Sequence, residues 1–405
     1  MGLQATMHLV IVGNGVAGIT AALAVRDKDP RAEITVISGE GDYFFSRTAL
    51  MYAYMDQMGR RDLEPYERPV FREKRITLKR GWVTDLDAEE RRLGLADGGS
   101  VRYDTLLLAT GSRGRRAGWE RKLDGVVNFV TMQDLEACER LTPGTKRAVV
   151  AGGGLIGVEL VECLVHHRVA TTFLVREATY WPTALSPEEG ELVAAHIRAR
   201  GVDLRLGTEV ASLEGESRVN GVVTTAGEKL GCEMVGVTIG VEPNVEWLRG
   251  VKTPPELGRG VKTDGGFRTS LPHVFAAGDV AEVNGRIEPL WYAAKRQGAA
   301  VARAILGETV DYGAPTHYNS AKFFHLEWTC AGETKGPGRF RKLAGREASV
   351  RVLERDGFVT GFSMLGSRWN HRVLVKWLEE KRRTEDVMAR LSEAQYDVEF
   401  GRVAL

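Results

Sequence analysis

The chain has 405 residues, room for two to four domains at roughly 100–200 residues each. Its 55 Lys and Arg nearly cancel its 54 Asp and Glu, which argues against a general nucleic-acid binder. With 43% hydrophobic and 27% charged residues, no apolar run near the roughly 18 residues of a membrane span and no secretory leader before the first glycines, the expectation is a folded cytoplasmic protein. Cys138, Cys163, Cys232 and Cys330 lie far apart without a CxxC pair, so neither a metal site nor a disulfide framework is indicated. The 47 glycines are the anomaly, and their clustering directs the reading.

In chain order, the apolar run His8–Val12 predicts a strand, followed at once by Gly13-Asn-Gly15-Val16-Ala17-Gly18, a helix over Ile19–Val25 and a second strand over Glu33–Ile37. Tyr103–Leu108 reads as a buried strand closing on Ala109-Thr110-Gly111. The opening unit then recurs: Ala148–Val150, Gly152-Gly-Gly154-Leu155-Ile156-Gly157, a helix through Leu164, and a strand Thr172–Val175. Val235–Gly240 and His273–Ala276 follow as strands, the latter running into Ala277-Gly278-Asp279, and Tyr292–Leu306 reads as an Ala-rich helix. After Gly313-Ala-Pro315 the character changes to more aromatics and alternating strands such as Ala348–Leu353.

A strand–glycine turn–helix unit exposes unpaired N–H groups at the positive end of a helix dipole. A pyrophosphate reaches them only where no side chain intervenes, hence glycine at the first two positions. The third glycine lets helix and strand approach. Gly13, Gly15 and Gly18 meet this demand, and so do Gly152, Gly154 and Gly157. Two such turns imply two dinucleotides, and a chain that holds a flavin and a nicotinamide nucleotide has hydride transfer as its use.

At this point the chain resembles the pyridine nucleotide–disulfide oxidoreductase superfamily over about residues 7 to 312. The resemblance implies an α/β fold with two Rossmann-like domains. FAD would be bound by residues 1–115 and 248–313, NAD(P)H by 116–247, and 314–405 would form a C-terminal α+β interface domain of a homodimer. It places Gly13, Gly15, Val16, Ala17 and Gly18 on FAD, with Ala109, Thr110 and Gly111 as the crossover between domains and Gly278 and Asp279 as a second FAD motif. Asp279 is also a natural helix N-cap. Glu40 is the candidate for the FAD ribose, or else a solvated loop acid, and Val83 and Trp291 are placed with the FAD.

Where disulfide reductases of this family carry a redox cysteine, the sequence has Tyr43-Phe-Phe-Ser-Arg47-Thr48-Ala-Leu50. Thr48 stands near the cysteine's place and is placed with the FAD, since a hydroxyl does not exchange with disulfides. The stretch is similar to the YxRPxLS segment of ferredoxin, rubredoxin and nitrite reductase flavoproteins and of apoptosis-inducing factor, in which the arginine lies on FAD. Here the prolines are missing and Tyr52 replaces the frequent lysine. Arg47 is therefore read as an FAD residue, or as one half of a surface ion pair.

The second site takes Gly152, Gly154, Leu155, Ile156, Gly157 and Gly240 for NAD(P)H. Arg176 follows the second strand where the family often has an acid, and a guanidinium suits the extra phosphate of NADPH. Glu177 beside it favours a plain ribose, so NADPH is preferred only slightly over NADH. Glu159 resembles the family's glutamate near the nicotinamide, or is a first-turn helix acid.

The implied activity is an FAD-dependent NAD(P)H oxidoreductase that passes electrons to a small redox protein or other small acceptor, with no catalytic side chain and no metal. Two alternatives stand. Trp369, Val373, Leu374, Trp377 and Leu378 lie at helical spacing, either packed on a sheet or resting on a membrane as in a quinone reductase. A redox-responsive binding protein resembling apoptosis-inducing factor is the other.

Overall fold

A computed structural model of the chain describes residues 6–343 and 347–395. The chain divides into two compact units. One takes the chain through Arg115, then Val130–Leu135 and Val241–Ala314. The other takes Arg116–Phe129, Glu136–Gly240 and the chain from Pro315 onward.

The first unit is built on a five-stranded parallel sheet in the order Val274–Ala276, Thr105–Leu108, His8–Val12, Glu33–Ser38, Ile76–Arg80. Its central strands are covered on both faces, which is why they read as unbroken apolar runs without alternation. The helix after the first glycine turn spans Val16–Lys28, longer at both ends than the Ile19–Val25 expected. Its first turn is Val-Ala-Gly, residues of mixed helix propensity that hide the start. It packs on the helix Trp291–Ile305 at Gly298, where a Cβ would fall 2.5 Å from the Ala17 carbonyl oxygen. Short antiparallel strands Ser112–Gly114 and Val241–Pro243 pair where the chain leaves and re-enters this unit.

The second unit repeats the plan. A parallel sheet runs Asp203–Leu206, Ala170–Val175, Arg147–Ala151, Met234–Val237, Val126–Val127, again with the strand before a glycine turn at its centre. The strand expected over Val235–Gly240 ends at Val237, and Gly240 turns the chain at a φ of +106°. The same unit carries a five-stranded antiparallel sheet ordered Tyr318–Phe323, Leu326–Gly332, Phe358–Leu365, Ser349–Arg355, Gly338–Lys342.

The helix His371–Glu379 packs on that sheet. Trp369, Leu374 and Trp377 are buried in one cluster with Phe362 and Met364, with Val373 and Leu378 against it. The apolar stripe is therefore spent inside the protein, which corrects the membrane-surface reading. Among the described residues no helix is long and apolar enough to cross a membrane. Arg351 and Glu189 form a buried ion pair in this unit: Arg351 Nη2 lies 2.8 Å from Glu189 Oε2, with the two side chains 9% and 0% exposed. Arg351 also donates to the Thr334 and Ala184 carbonyls, and Glu189 closes the capping box of Ser186.

Candidate nucleotide-binding sites

In the first glycine turn each glycine is required for a different reason. Gly13 has a φ of +114°, and a Cβ there would lie 2.1 Å from the Ala109 carbonyl oxygen. A Cβ on Gly18 would lie 2.1 Å from the Gly13 carbonyl oxygen. Gly15 has an ordinary φ of −73°, and a Cβ on it would meet nothing within 4 Å. Neither backbone strain nor protein packing asks for glycine at that position. Gly15 is the N-cap of the helix, no side chain caps it, and the first turn holds no acidic residue. The uncapped N–H groups of this first turn, beside the open space at Gly15, stand at a positive helix end, a cradle that suits a phosphate.

The second turn repeats this atom for atom. Gly152 has a φ of +117° with a Cβ position 2.3 Å from the Thr238 carbonyl oxygen, Gly157 would meet the Gly152 oxygen at 2.1 Å, and Gly154 is open. Thr238 Oγ1 fixes the turn by donating to the carbonyls of Ala151 and Gly152. Leu155 and Ile156, the first residues of the helix Leu155–His166, are half-buried. The residues present fit two dinucleotides.

Around the first turn the fold gathers several residues singled out in the sequence. Ala17, next to half-buried Val16, touches Gly278, whose Cβ would lie 2.9 Å from that of Ala17. The Gly278 N–H donates to the buried Gln297 side chain at 2.8 Å. Asp279 accepts from Ser112 Oγ at 2.7 Å. Burial pushes its carboxyl up, while the Ser112 bond and the Arg47 charge act against this. Thr110 donates to the Asn244 carbonyl at 3.3 Å, and Gly111 turns at a φ of +67° with open space at its Cβ. Trp291 opens its helix with Nε1 buried and without a hydrogen-bond partner among the described residues.

Glu40 and Arg47 are brought to each other. Arg47 Nη1 and Nη2 donate to the two Glu40 oxygens at 2.9 and 2.7 Å. The Met132 N–H donates to Glu40 Oε1 at 3.0 Å, and Arg47 also donates to the Val130 carbonyl. Thr48 is exposed and shares a hydrogen bond with Ser46. Val83 begins a strand next to Trp82, whose ring occupies the space over Gly39, 2.1 Å from a Cβ placed there. Trp82 is 60% exposed.

In the second unit, Glu159 lies two residues beyond Gly157. Burial, with Glu162 adding and Lys322 opposing, pushes its carboxyl up to about 7. Arg176 projects from the end of the strand Ala170–Val175, exposed and 3.1 Å from Glu177, and Gly240 is exposed. All four cysteines are buried. Burial raises the thiols of Cys163, Cys232 and Cys330, the last two to about 12, so none of these three supplies a thiolate at neutral pH.

Sequence reasoning missed Ser112, Gln297 and Trp82. Ser112 and Gln297 had no local signal, because each meets its partner across the fold. Trp82 had one, a large aromatic directly before a short strand.

Two dinucleotide cradles on parallel sheets, with all four cysteines buried, define a flavin-and-nicotinamide oxidoreductase. The family model for pyridine nucleotide-disulphide oxidoreductases matches residues 7–298, and the chain belongs to that family as an FAD-dependent NAD(P)H oxidoreductase. It is 32% identical over 368 residues to the ferredoxin reductase component of chlorobenzene dioxygenase from Cupriavidus sp. (strain PS12), covering 86% of this chain and 87% of that one. It is 30% identical to the ferredoxin–NAD(+) reductase subunit of the benzene 1,2-dioxygenase system of Pseudomonas putida, covering 82% of each. Its fold matches a ferredoxin reductase from Rhodopseudomonas palustris at a TM-score of 0.85 and 24% identity, covering 94% of this chain and 96% of that one.

Proposed function

We propose that this protein draws reducing equivalents from NAD(P)H and delivers them singly to a small iron-containing carrier of the ferredoxin or rubredoxin kind. Bound FAD supplies the exchange between a hydride and single electrons; the chain binds, orients and shields. Gly13–Gly18 cradle the FAD phosphates, Ala109, Thr110 and Gly111 line the crossover, and Gly278 and Asp279 complete the site, with the Asp279 carboxylate taking ribityl hydroxyls. Gly152–Gly157 cradle the nicotinamide nucleotide, and Glu159 is poised to hold or lose a proton at neutral pH. The observation that carries the reading is the open space at Gly15 and Gly154, which protein packing alone does not require. The acceptor class rests on the relatives from the chlorobenzene and benzene dioxygenase systems, which are ferredoxin reductases.

NADPH is the favoured donor in this reading, because exposed Arg176 stands at the strand end and guanidinium matches a phosphate. Its pairing with Glu177 keeps the preference small. The reading places the work in the reducing cytoplasm.

The test is anaerobic titration of the purified yellow protein with NADH and NADPH, followed by reoxidation with a [2Fe–2S] ferredoxin, rubredoxin, a water-soluble quinone and a disulfide. Bleaching by both nucleotides, with turnover on an iron carrier at least about 10-fold above that on quinone or disulfide, is the expected result. A protein that neither nucleotide bleaches rejects the reading.

A further inference from the structure

Away from both glycine turns, the second unit brings together three metal-ligating side chains that the proposed reaction does not use. His196 sits in the last turn of the helix Pro187–Arg198. His325 lies in the two-residue turn between the strands Tyr318–Phe323 and Leu326–Gly332. Glu347 stands just before Ser349–Arg355. One ligand atom from each lies within 4.8 Å of the others.

Four features characterise this cluster. His196 is fully buried, its Nδ1 is 2.7 Å from Glu347 Oε2, and its Nε2 is buried with no hydrogen-bond partner among the described residues. An imidazole ring that has lost its water keeps a nitrogen the protein leaves unsatisfied, which is costly unless a ligand takes it. His325 holds a ring nitrogen towards a cation: the Arg200 guanidinium lies 2.5 Å from Nε2 and 3.0 Å from Nδ1. Phe324, which aims this turn, adopts a φ of +56°, the left-handed conformation that a two-residue hairpin turn calls for. His325 also borders a pocket of about 380 Å³ shared with Glu162, Arg200, Lys322, Phe324 and Glu327, which gives an ion a route in and room for water.

We propose that His196, His325 and Glu347 bind one divalent transition-metal ion of the zinc class, pinning the helix Pro187–Arg198 to the antiparallel sheet. Two imidazoles and a carboxylate suit Zn²⁺, with a fourth position left to water. Donors at about 2.0–2.1 Å from zinc stand about 3.4 Å apart. The remaining approach falls to His325 and Glu347, both exposed, while His196 is buried. Arg200 occupies the cation's place at His325 and gives way to it. No sequence spacing announces the site, because its ligands come from three distant segments.

The test uses the full-length FAD-loaded protein, dialysed against a chelator and titrated with zinc sulfate by calorimetry, with bound zinc counted by mass spectrometry. One zinc per chain is expected, together with a higher melting temperature when zinc is present. His325→Ala and Glu347→Gln alter exposed side chains, and each is expected to weaken binding at least about 10-fold and to abolish the thermal shift. Their FAD content and zinc-free melting should stay unchanged. Arg200→Gln is expected to bind at least as tightly as the parent. Zinc binding of parental affinity in both His325→Ala and Glu347→Gln, or no stoichiometric binding by the parent, overturns the proposal.

Discussion

Glu40 and Arg47 hold each other in a two-pronged ion pair that the backbone N–H of Met132 closes from a third side. Each was expected on the flavin nucleotide separately, and each also had a plain surface reading. The fold makes them one unit, so substitutions at the two should not add. Glu40→Gln and Arg47→Ala are each expected to raise the FAD dissociation constant about 10-fold. The double variant should lose little more, a coupling of about 1 kcal/mol. Release of FAD fluorescence on dilution measures all three.

The open second glycines make the sharpest test of the cradles. Gly15→Val has room for its side chain and an ordinary φ, so folding should lose about 1 kcal/mol or less. It should nevertheless emerge largely colourless, because the branched side chain fills the phosphate's approach. Gly154→Val should keep its flavin and raise KM for NAD(P)H at least about 10-fold. The absorbance ratio at 450 and 280 nm, with steady-state kinetics, separates the two.

Glu159 gives a pH dependence of defined sign. Burial raises its carboxyl to about 7, above its unfolded value of about 4.3. Between these values the native state binds more protons than the unfolded state, so stability falls as pH rises through this window and the cost is complete above pH 7. Glu159→Gln removes that cost. It is expected to be more stable than the parent at pH 8 by about 1–2 kcal/mol and no more stable at pH 4. Urea denaturation of the nucleotide-free protein at the two pH values reads this directly.

The buried pair Arg351–Glu189 should behave unlike the many surface pairs. Removing one partner strands a charge in the interior, so Arg351→Met is expected to cost about 3–5 kcal/mol. Replacing both with apolar residues should recover most of that loss, though the capping bond from Glu189 to the Ser186 N–H is lost with it. Denaturant midpoints of the two variants decide the matter.

The sequence disclosed most where function is local. The strand His8–Val12 and both glycine turns were legible because phosphate binding forces a fixed spacing onto consecutive residues. Helix ends were harder: Val16–Lys28 starts at a glycine cap that offers no Ser, Thr, Asp or Asn to read. The stripe from Trp369 to Leu378 was visible as a helix face, but periodicity does not say whether a sheet or a lipid lies opposite. Ser112 on Asp279, Gln297 on Gly278 and Arg351 on Glu189 were invisible, because these bonds join positions far apart in the chain.

The six residues Val130–Leu135 belong to the first unit although the chain on both sides of them belongs to the second. Met132 and Val130 clasp Glu40 and Arg47 there, and Gln133 donates to the Glu40 carbonyl. A chimaera that exchanged residues 116–240 wholesale to alter coenzyme preference would carry this clasp away with it. A graft that leaves those six native residues in place keeps the Glu40–Arg47 pair and its clasp intact.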